Sequence, residues 1–169
     1  MTHEAPRHLT LAEVEALARA AHAPQTDKLG RPYVEHLAAV AAGVRERGGD
    51  AELQAAAWLH DAVEDHALTE EWLENAALSD RVKAVVRALT KAPGESPESY
   101  TARILATPGA LLVKTADLAH NTDPTRLAAL DDPTRARLRA KYARTRALLG
   151  LAGPADPTPS GDVDQSGHG

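Results

Sequence analysis

Four ionisable side chains fall within six consecutive positions near the middle of the sequence. They belong to the segment His60-Asp61-Ala62-Val63-Glu64-Asp65, which continues an alanine-rich apolar stretch that is predicted to be helical. Burying such charges is costly unless a partner compensates them. Residues four apart in a helix share a face, so His60 pairs with Glu64 and Asp61 with Asp65. A histidine and three carboxylates in one angular sector predict a site for a divalent cation.

Two other segments offer side chains of the same kind. His36 lies at the edge of an apolar helix face, and Asp117 lies in an apolar stretch where an unpaired carboxylate would be costly. With His60 and Asp61 they would make a mixed nitrogen and oxygen site, which suits Mn²⁺, Fe²⁺ or Mg²⁺ better than a metal that prefers sulfur. Four protein ligands would leave coordination positions open for water and substrate.

The elements that must position these residues are predicted to be helices. Ala, Leu, Glu and Arg are abundant, β-branched residues are few, and no segment alternates polar and apolar residues as a strand would. Capping residues, prolines and glycines mark the expected helix boundaries. The predicted helices cover about 11–22, 33–47, 51 through the His60 segment, 70–76, 80–91, 97–106, 108–122 and 132–149. The predicted fold is therefore an all-α, single-domain helical bundle.

Length and composition set the remaining expectations. Residues 1–150 are predicted to form one domain, and residues 151–169, rich in Gly, Pro, Ser and Asp, a disordered tail. The net charge of −5 argues against a general nucleic-acid or membrane-surface binder, and the absence of cysteine excludes a disulfide framework or thiolate site. No stretch has the pattern of a membrane span or a signal peptide, so we expect a cytoplasmic protein. Apolar helix faces are compatible with a homodimer.

Three motifs in this order resemble a known family. The arrangement His36 … His60-Asp61 … Asp117 resembles the metal signature of the HD superfamily of metal-dependent phosphohydrolases. Segments 25–36, 60–65 and 114–121 are each similar to motifs of the hydrolase domain of RelA/SpoT-type alarmone enzymes and their stand-alone small relatives. The resemblance extends over about residues 11–149, and three ordered motifs are far more specific than one alone.

The resemblance implies an activity and a set of site residues. The family removes the 3′-diphosphate from guanosine 3′,5′-bis(diphosphate) and its pentaphosphate relative and releases pyrophosphate. By resemblance, one Mn²⁺ would be bound by His36, His60, Asp61 and Asp117. Glu64 and Asp65 would act as general acid–base groups. The expected substrate contacts are phosphate binding by Lys28 and Lys114, a nucleoside hydrogen bond from Asn121, and Tyr142, for which packing on the last helix is an equal alternative.

Two departures from the family pattern concern the nucleobase. Asp27 stands where the family usually has an arginine that stacks on guanine, and residues 122–126 replace an arginine-containing turn that helps to shape the base pocket. Both leave the hydrolytic residues in place. The base therefore stays open at this point, with guanine, adenine and a simpler nucleotide as alternatives.

Other functions and residues were weighed against this interpretation. The alternatives are a phosphohydrolase (nucleotidase) of another nucleotide, such as a nucleoside monophosphate, a catalytically silent nucleotide-binding regulator, and a helical scaffold without a site. The basic residues of the last helix spread around it and predict solvated surface. His22, His66 and His120 are predicted to be ordinary loop, helix-end and partly solvated residues.

Overall fold

The computed structural model describes residues 7–151, and within that range it contains helices and no strand. The predicted all-α fold is confirmed. In chain order the helices are α1 (Leu11–Ala21), α2 (Val34–Glu46), α3 (Ala51–Leu59), α4 (Glu70–Asn75), α5 (Asp80–Leu89), α6 (Pro97–Ala106), α7 (Ala110–Asn121), α8 (Pro124–Ala128) and α9 (Asp132–Leu148).

Helix α3 is the centre of the bundle and packs against α1, α2, α5 and α7. Its side chains from Ala55 to Leu59 are all buried, and the run of three alanines lets neighbouring helices approach closely. Helix α2 also packs against α7, so α2, α3 and α7 are mutual neighbours. These three helices carry or directly precede the predicted metal ligands, and their packing brings those residues together.

Side-chain caps begin most of the helices, as the sequence predicts. Thr10 and Glu13 form a complete capping box at α1, and Asp50 accepts a hydrogen bond from the backbone N–H of Leu53 at α3. The cap of α9 is Asp131 rather than the neighbouring Asp132. These local signals explain why the boundaries of most elements can be read from the sequence.

The prediction that the His60–Asp65 segment continues a helix is wrong. Helix α3 ends at Leu59, and the following residues form turns that close at His66, whose φ is +60°. The physical reason lies in the tertiary contacts of the segment. Asp61 and Asp65 bond to Tyr33 and Gln25 of the loop before α2, and Glu64 bonds to the backbone of Lys91 after α5, so contacts with distant residues replace the local helical pattern.

The start of α7 also differs from the prediction. Pro108 does not open the helix, which begins at Ala110 after Gly109. Gly109 has a φ of +88°, and a Cβ atom there would meet Leu53 Cδ2 of α3 at 2.6 Å. Glycine therefore satisfies both the left-handed backbone and the close approach of α7 to α3. The short helix α8 was not predicted.

Part of the domain prediction lies outside the described residues, since they end at Leu151 and the predicted tail follows. The division into a domain and a tail stays a prediction. No helix in residues 7–151 has both the length and the apolar character needed to cross a membrane.

Candidate functional site

The four predicted metal ligands converge in the structure. His36 comes from α2, His60 caps the end of α3, Asp61 follows it, and Asp117 comes from α7; one ligand atom of each lies within 4.8 Å of all the others. Asp117 Oδ1 is 3.0 Å from His36 Nε2 and 3.3 Å from His60 Nε2, and Asp61 Oδ2 is 3.0 Å from His60 Nε2. Adjacent ligands on an octahedral ion with bonds of about 2.1 Å are about 3.0 Å apart. The donor set and its spacing therefore fit one divalent cation.

The two histidine rings are oriented by contacts on their far sides. His60 Nδ1 lies 2.5 Å from the backbone carbonyl oxygen of Ala57, which only a protonated nitrogen can satisfy. His36 Nδ1 lies 2.7 Å from His120 Nδ1. Each contact leaves the Nε2 atom of its ring facing the cluster, which is how metal-binding histidines are commonly held.

Asp117 is the most highly bonded carboxylate of the cluster. It is 5 % exposed and lies against the Nε2 atoms of both histidines, and it accepts hydrogen bonds from Lys114 Nζ at 2.9 Å and Asn121 Nδ2 at 3.2 Å. Burial acts to raise the pKa of Asp117, but the charge of Lys114 and the contacts with the two histidines hold it well below its usual range. The carboxylate is thus ionised and ready to accept a cation.

Asp61 is held by an aromatic hydroxyl. Tyr33, immediately before α2, donates its hydroxyl hydrogen bond to Asp61 Oδ2. Burial and the nearby negative charge of Asp61 raise the pKa of Tyr33, so the phenol keeps its proton and stays a donor. This contact fixes the turn after α3 against the start of α2.

The two predicted acid–base carboxylates are placed by different partners. Glu64 accepts a hydrogen bond at Oε1 from the backbone N–H of Lys91 at 2.7 Å, and Asp65 accepts one at Oδ2 from Gln25 Nε2 at 2.9 Å. Reduced contact with water raises the pKa of both carboxyls above its ordinary value. Both side chains line the cavity beside the metal-ligand cluster.

A buried histidine supports Asp65 through Gln25. His22, 1 % exposed, lies with its Nδ1 2.7 Å from Gln25 Oε1. Because the Gln25 amide nitrogen donates to Asp65, its oxygen is the acceptor, and His22 Nδ1 must carry the hydrogen. The sequence prediction treated His22 as an ordinary loop residue, whereas the structure links it to the site.

A cavity of about 770 Å³ opens over the cluster, within the range of about 300–1,000 Å³ that is typical of ligand sites. All four predicted substrate-contact residues line it, namely Lys28, Lys114, Asn121 and Tyr142. Two further lysines, Lys91 and Lys141, do so as well. Burial and the charges of Lys114, Lys91 and Lys28 lower the pKa of Lys141.

His120 is a site neighbour that the sequence prediction set aside. Burial, followed by the nearby His36 and Arg126 side chains, lowers its pKa to about 4, so the ring is neutral at pH 7. A neutral His120 can accept the hydrogen of His36 Nδ1. Its position three residues after Asp117, on the same helical face, was the signal that could have revealed it. No comparable spacing to a predicted site residue would have indicated that Lys91 and Lys141 line the cavity.

The two departures from the family pattern meet in space. Asp27, in the loop before α2, forms an ion pair with Arg126 of α8, with 3.4 Å between Asp27 Oδ2 and Arg126 Nη1. Both residues line the cavity. The altered loop and the altered turn thus form a single feature of the cavity wall.

Comparison with known proteins agrees with this geometry. Residues 15–106, more than half of the chain, match the family described as HD domain. The chain belongs to the HD domain family. The matched region includes His36, His60 and Asp61 and ends before Asp117.

The HD-domain chain is similar to parts of much larger curated relatives. It is 37 % identical over 84 residues to a probable guanosine-3′,5′-bis(diphosphate) 3′-pyrophosphohydrolase of Synechocystis, covering 50 % of this chain and 11 % of the relative. It is 36 % identical over 112 residues to a guanosine-3′,5′-bis(diphosphate) 3′-pyrophosphohydrolase of Aquifex aeolicus, covering 62 % of this chain and 16 % of the relative. It is 38 % identical over 109 residues to a probable GTP pyrophosphokinase of Mycobacterium leprae, covering 59 % of this chain and 14 % of the relative. The chain spans less than a fifth of each, and the predicted resemblance to RelA/SpoT-type hydrolases is confirmed over this region.

Proposed function

We propose that this HD-domain chain is a metal-dependent pyrophosphohydrolase that removes the 3′-diphosphate from (p)ppGpp-type alarmone nucleotides. The observation that carries the proposal is the convergence of four ligand-type side chains beside a lysine-lined cavity, whose wall also holds Glu64 and Asp65. Similarity to the named 3′-pyrophosphohydrolases supports the choice of reaction.

A divalent cation would be held by His36, His60, Asp61 and Asp117. When bound, it would polarise the phosphoryl group and lower the pKa of water, so that hydroxide is available near neutral pH. We propose Mn²⁺, with Fe²⁺ and Mg²⁺ as the alternatives that the same nitrogen and oxygen donors accommodate. The buried, mutually close donors and the fixed orientation of both rings support a resident cation.

The two carboxyls would move the protons of the reaction. Asp65 has Oδ2 bonded to Gln25, which leaves Oδ1 to take a proton from the attacking water. Water attacks the phosphorus next to the ribose 3′-oxygen, the bond between phosphorus and that oxygen breaks, and pyrophosphate leaves. Glu64, whose Oε1 is bonded to Lys91, would hold a proton on Oε2 and give it to the departing 3′-oxygen. The products are pyrophosphate and a nucleoside 5′-diphosphate with a free 3′-hydroxyl.

The cations of the cavity would bind the phosphates of the substrate. Lys28 and Lys114 are the proposed contacts, and Lys91 and Lys141 add positive charge to the wall of the same cavity. Asn121 would donate to the nucleoside, and Tyr142 would border the bound nucleotide. Lys114 is paired with Asp117, but Lys28, Lys91 and Lys141 form no ion pair with another described residue, which supports a negatively charged bis(diphosphate) over an uncharged substrate.

The experiment is a product assay on purified full-length protein with Mn²⁺, Mg²⁺ or Fe²⁺. The panel contains guanosine and adenosine 3′,5′-bis(diphosphate), nucleoside triphosphates and nucleoside monophosphates, with pyrophosphate and orthophosphate measured separately. We expect pyrophosphate from the 3′-diphosphorylated nucleotides alone. Asp61→Asn should abolish both turnover and bound metal, while Asp80→Asn, an exposed aspartate of α5, should retain both.

Two results of this assay would support a different function. Orthophosphate released from monophosphates would identify a nucleotidase that uses the same metal site. Tight nucleotide binding without product in metal-replete protein would identify a regulatory binding module.

A cytoplasmic location and a homodimer stay proposals from the sequence, and the dimer is checked by light scattering of the purified protein.

A further inference from the structure

A partly buried ion pair lies in the wall of the cavity. Asp27 and Arg126 are 99 residues apart in sequence, and their side chains are 8 % and 21 % exposed. Removing two charged side chains from water is costly, and the attraction between them offsets part of that cost. The pair lies on the cavity and outside the metal-ligand cluster, so its role is separate from holding the cation.

Asp27 is fixed rigidly by its own loop. Its Oδ1 accepts hydrogen bonds from the backbone N–H groups of Leu29 at 2.8 Å and Arg31 at 3.0 Å. Although burial opposes the charge, these amides and Arg126 lower the pKa of Asp27, so it is ionised at neutral pH. Only Oδ2 faces Arg126, and the carboxylate holds the guanidinium in one place.

Arg126 keeps hydrogen-bond donors for a ligand. Within the described residues its guanidinium makes one hydrogen bond, from Nη1 to Asp27, although the group has five N–H donors. None of its other nitrogen atoms is among the buried, unpartnered atoms of the described chain, and the residue lines the cavity. Leu127, Leu130 and Leu138 line the same cavity and supply apolar surface.

The charge of the pair indicates which part of a nucleotide it meets. Asp27 offsets the charge of Arg126, whereas Lys28, Lys91 and Lys141 line the same cavity and form no ion pair with another described residue, so they are suited to phosphates. A neutralised planar guanidinium beside leucines is suited instead to a flat, uncharged, polar group. A purine base has that chemistry, since arginine both stacks on bases and donates to their acceptor edges.

We propose that Arg126, held by Asp27, is the base-selecting residue and favours 6-oxopurine nucleotides over 6-aminopurine nucleotides. This inference rests on the proposed function for the kind of substrate. Guanine presents two acceptors, O6 and N7, to a pair of N–H donors, whereas adenine replaces O6 by an amino group that is itself a donor. The guanidinium therefore forms two hydrogen bonds with guanine and meets an unpaired donor in adenine.

The test compares kcat/KM for guanosine and adenosine 3′,5′-bis(diphosphate) in Mn²⁺-loaded full-length protein. The wild type should prefer guanosine, and Arg126→Met should reduce the guanine-to-adenine ratio by roughly 5- to 150-fold, the range for one bidentate contact. Arg126→Lys keeps the positive charge and the ion pair with Asp27 but lacks the planar guanidinium with its paired N–H donors. It should therefore also have a reduced guanine-to-adenine ratio of kcat/KM. Arg144→Met is the matched control, because Arg144 also borders the cavity but pairs with Glu98, and its ratio should equal that of the wild type.

The outcomes separate this inference from the proposed function. An unchanged ratio in folded Arg126→Met and Arg126→Lys, or a wild type that prefers adenosine, would overturn it. If the wild type releases pyrophosphate from neither nucleotide, the proposed function fails, and calorimetric binding of GDP and ADP then decides the inference. A GDP preference that disappears in Arg126→Lys would uphold it, and equal binding of both nucleotides by the wild type would refute it.

Discussion

Removal of the Asp117 carboxylate should destabilise the fold because it strands a buried cation. Lys114 Nζ lies 2.9 Å from Asp117 Oδ2, and their side chains are 15 % and 7 % exposed. Against the effect of burial, the charge of Asp117 raises the pKa of Lys114, so the amine stays protonated. Breaking a buried pair by removing one partner costs about 3–5 kcal/mol. For a domain of this size, Asp117→Ala should lower Tm by roughly 6–20 °C at about 2–4 °C per kcal/mol.

The assay is urea unfolding followed by far-ultraviolet circular dichroism, with chelator present so that metal binding does not contribute. Lys114→Met in the Asp117→Ala background removes the stranded charge, and the double variant should be more stable than the sum of the single changes by at least about 1 kcal/mol. Asp80→Ala with Lys83→Met is the control, since these residues have the same spacing on α5 without an ion pair between them. For the control pair, the changes in unfolding free energy of the single variants should add to within about 0.5 kcal/mol. The same additivity for Asp117 and Lys114 would refute the idea that Asp117→Ala leaves a charge without its partner.

Three other predictions follow from the structure. Gln25→Leu removes a hydrogen bond that lowers the pKa of Asp65, so the acid limb of the pH profile of kcat/KM should move to higher pH. Gln54→Leu is the control: its amide donates to the Gly49 carbonyl away from the cavity, and its acid limb should match that of the wild type. Free Mn²⁺ at 100 times its Kd should stabilise the wild type by about 2.7 kcal/mol, and equal stabilisation of Asp61→Asn would contradict the ligand assignment. Asp50→Ala removes the cap of α3 and should lower the free energy of unfolding, measured in urea, by about 0.5–2 kcal/mol while KM stays unchanged. A raised KM would mean that the end of the helix, and not only its start, has moved.

The sequence determined the features that rest on local chemistry. Helix composition and caps such as Thr10 with Glu13 predicted an all-α bundle, because capping depends on residues within one turn of each other. The ligand-type residues stood out for a related reason. Asp117 in an apolar helix and the charges after Leu59 are costly unless compensated, and that cost is visible without a structure.

The tertiary structure decided everything that depends on contacts between distant segments. Helix α3 ends before the motif, whose carboxylates bond to the loop before α2 and to the backbone after α5; a helical pattern in the sequence does not reveal these contacts. The neutral His120 behind His36, at 84 residues' separation, depends in the same way on how α2 meets α7.

The ion pair of Asp27 and Arg126 is the clearest case of a feature that only the fold determines. From the sequence, Asp27 was the loss of an expected cation, and Arg126 was a residue in an altered turn. The fold brings them into one ion pair across 99 residues, so the cavity has a guanidinium after all. The sequence therefore determined which charged residues were present. The contact of α8 with the loop before α2 determined which of them form a pair in the cavity wall, because electrostatic pairing depends on distance in space.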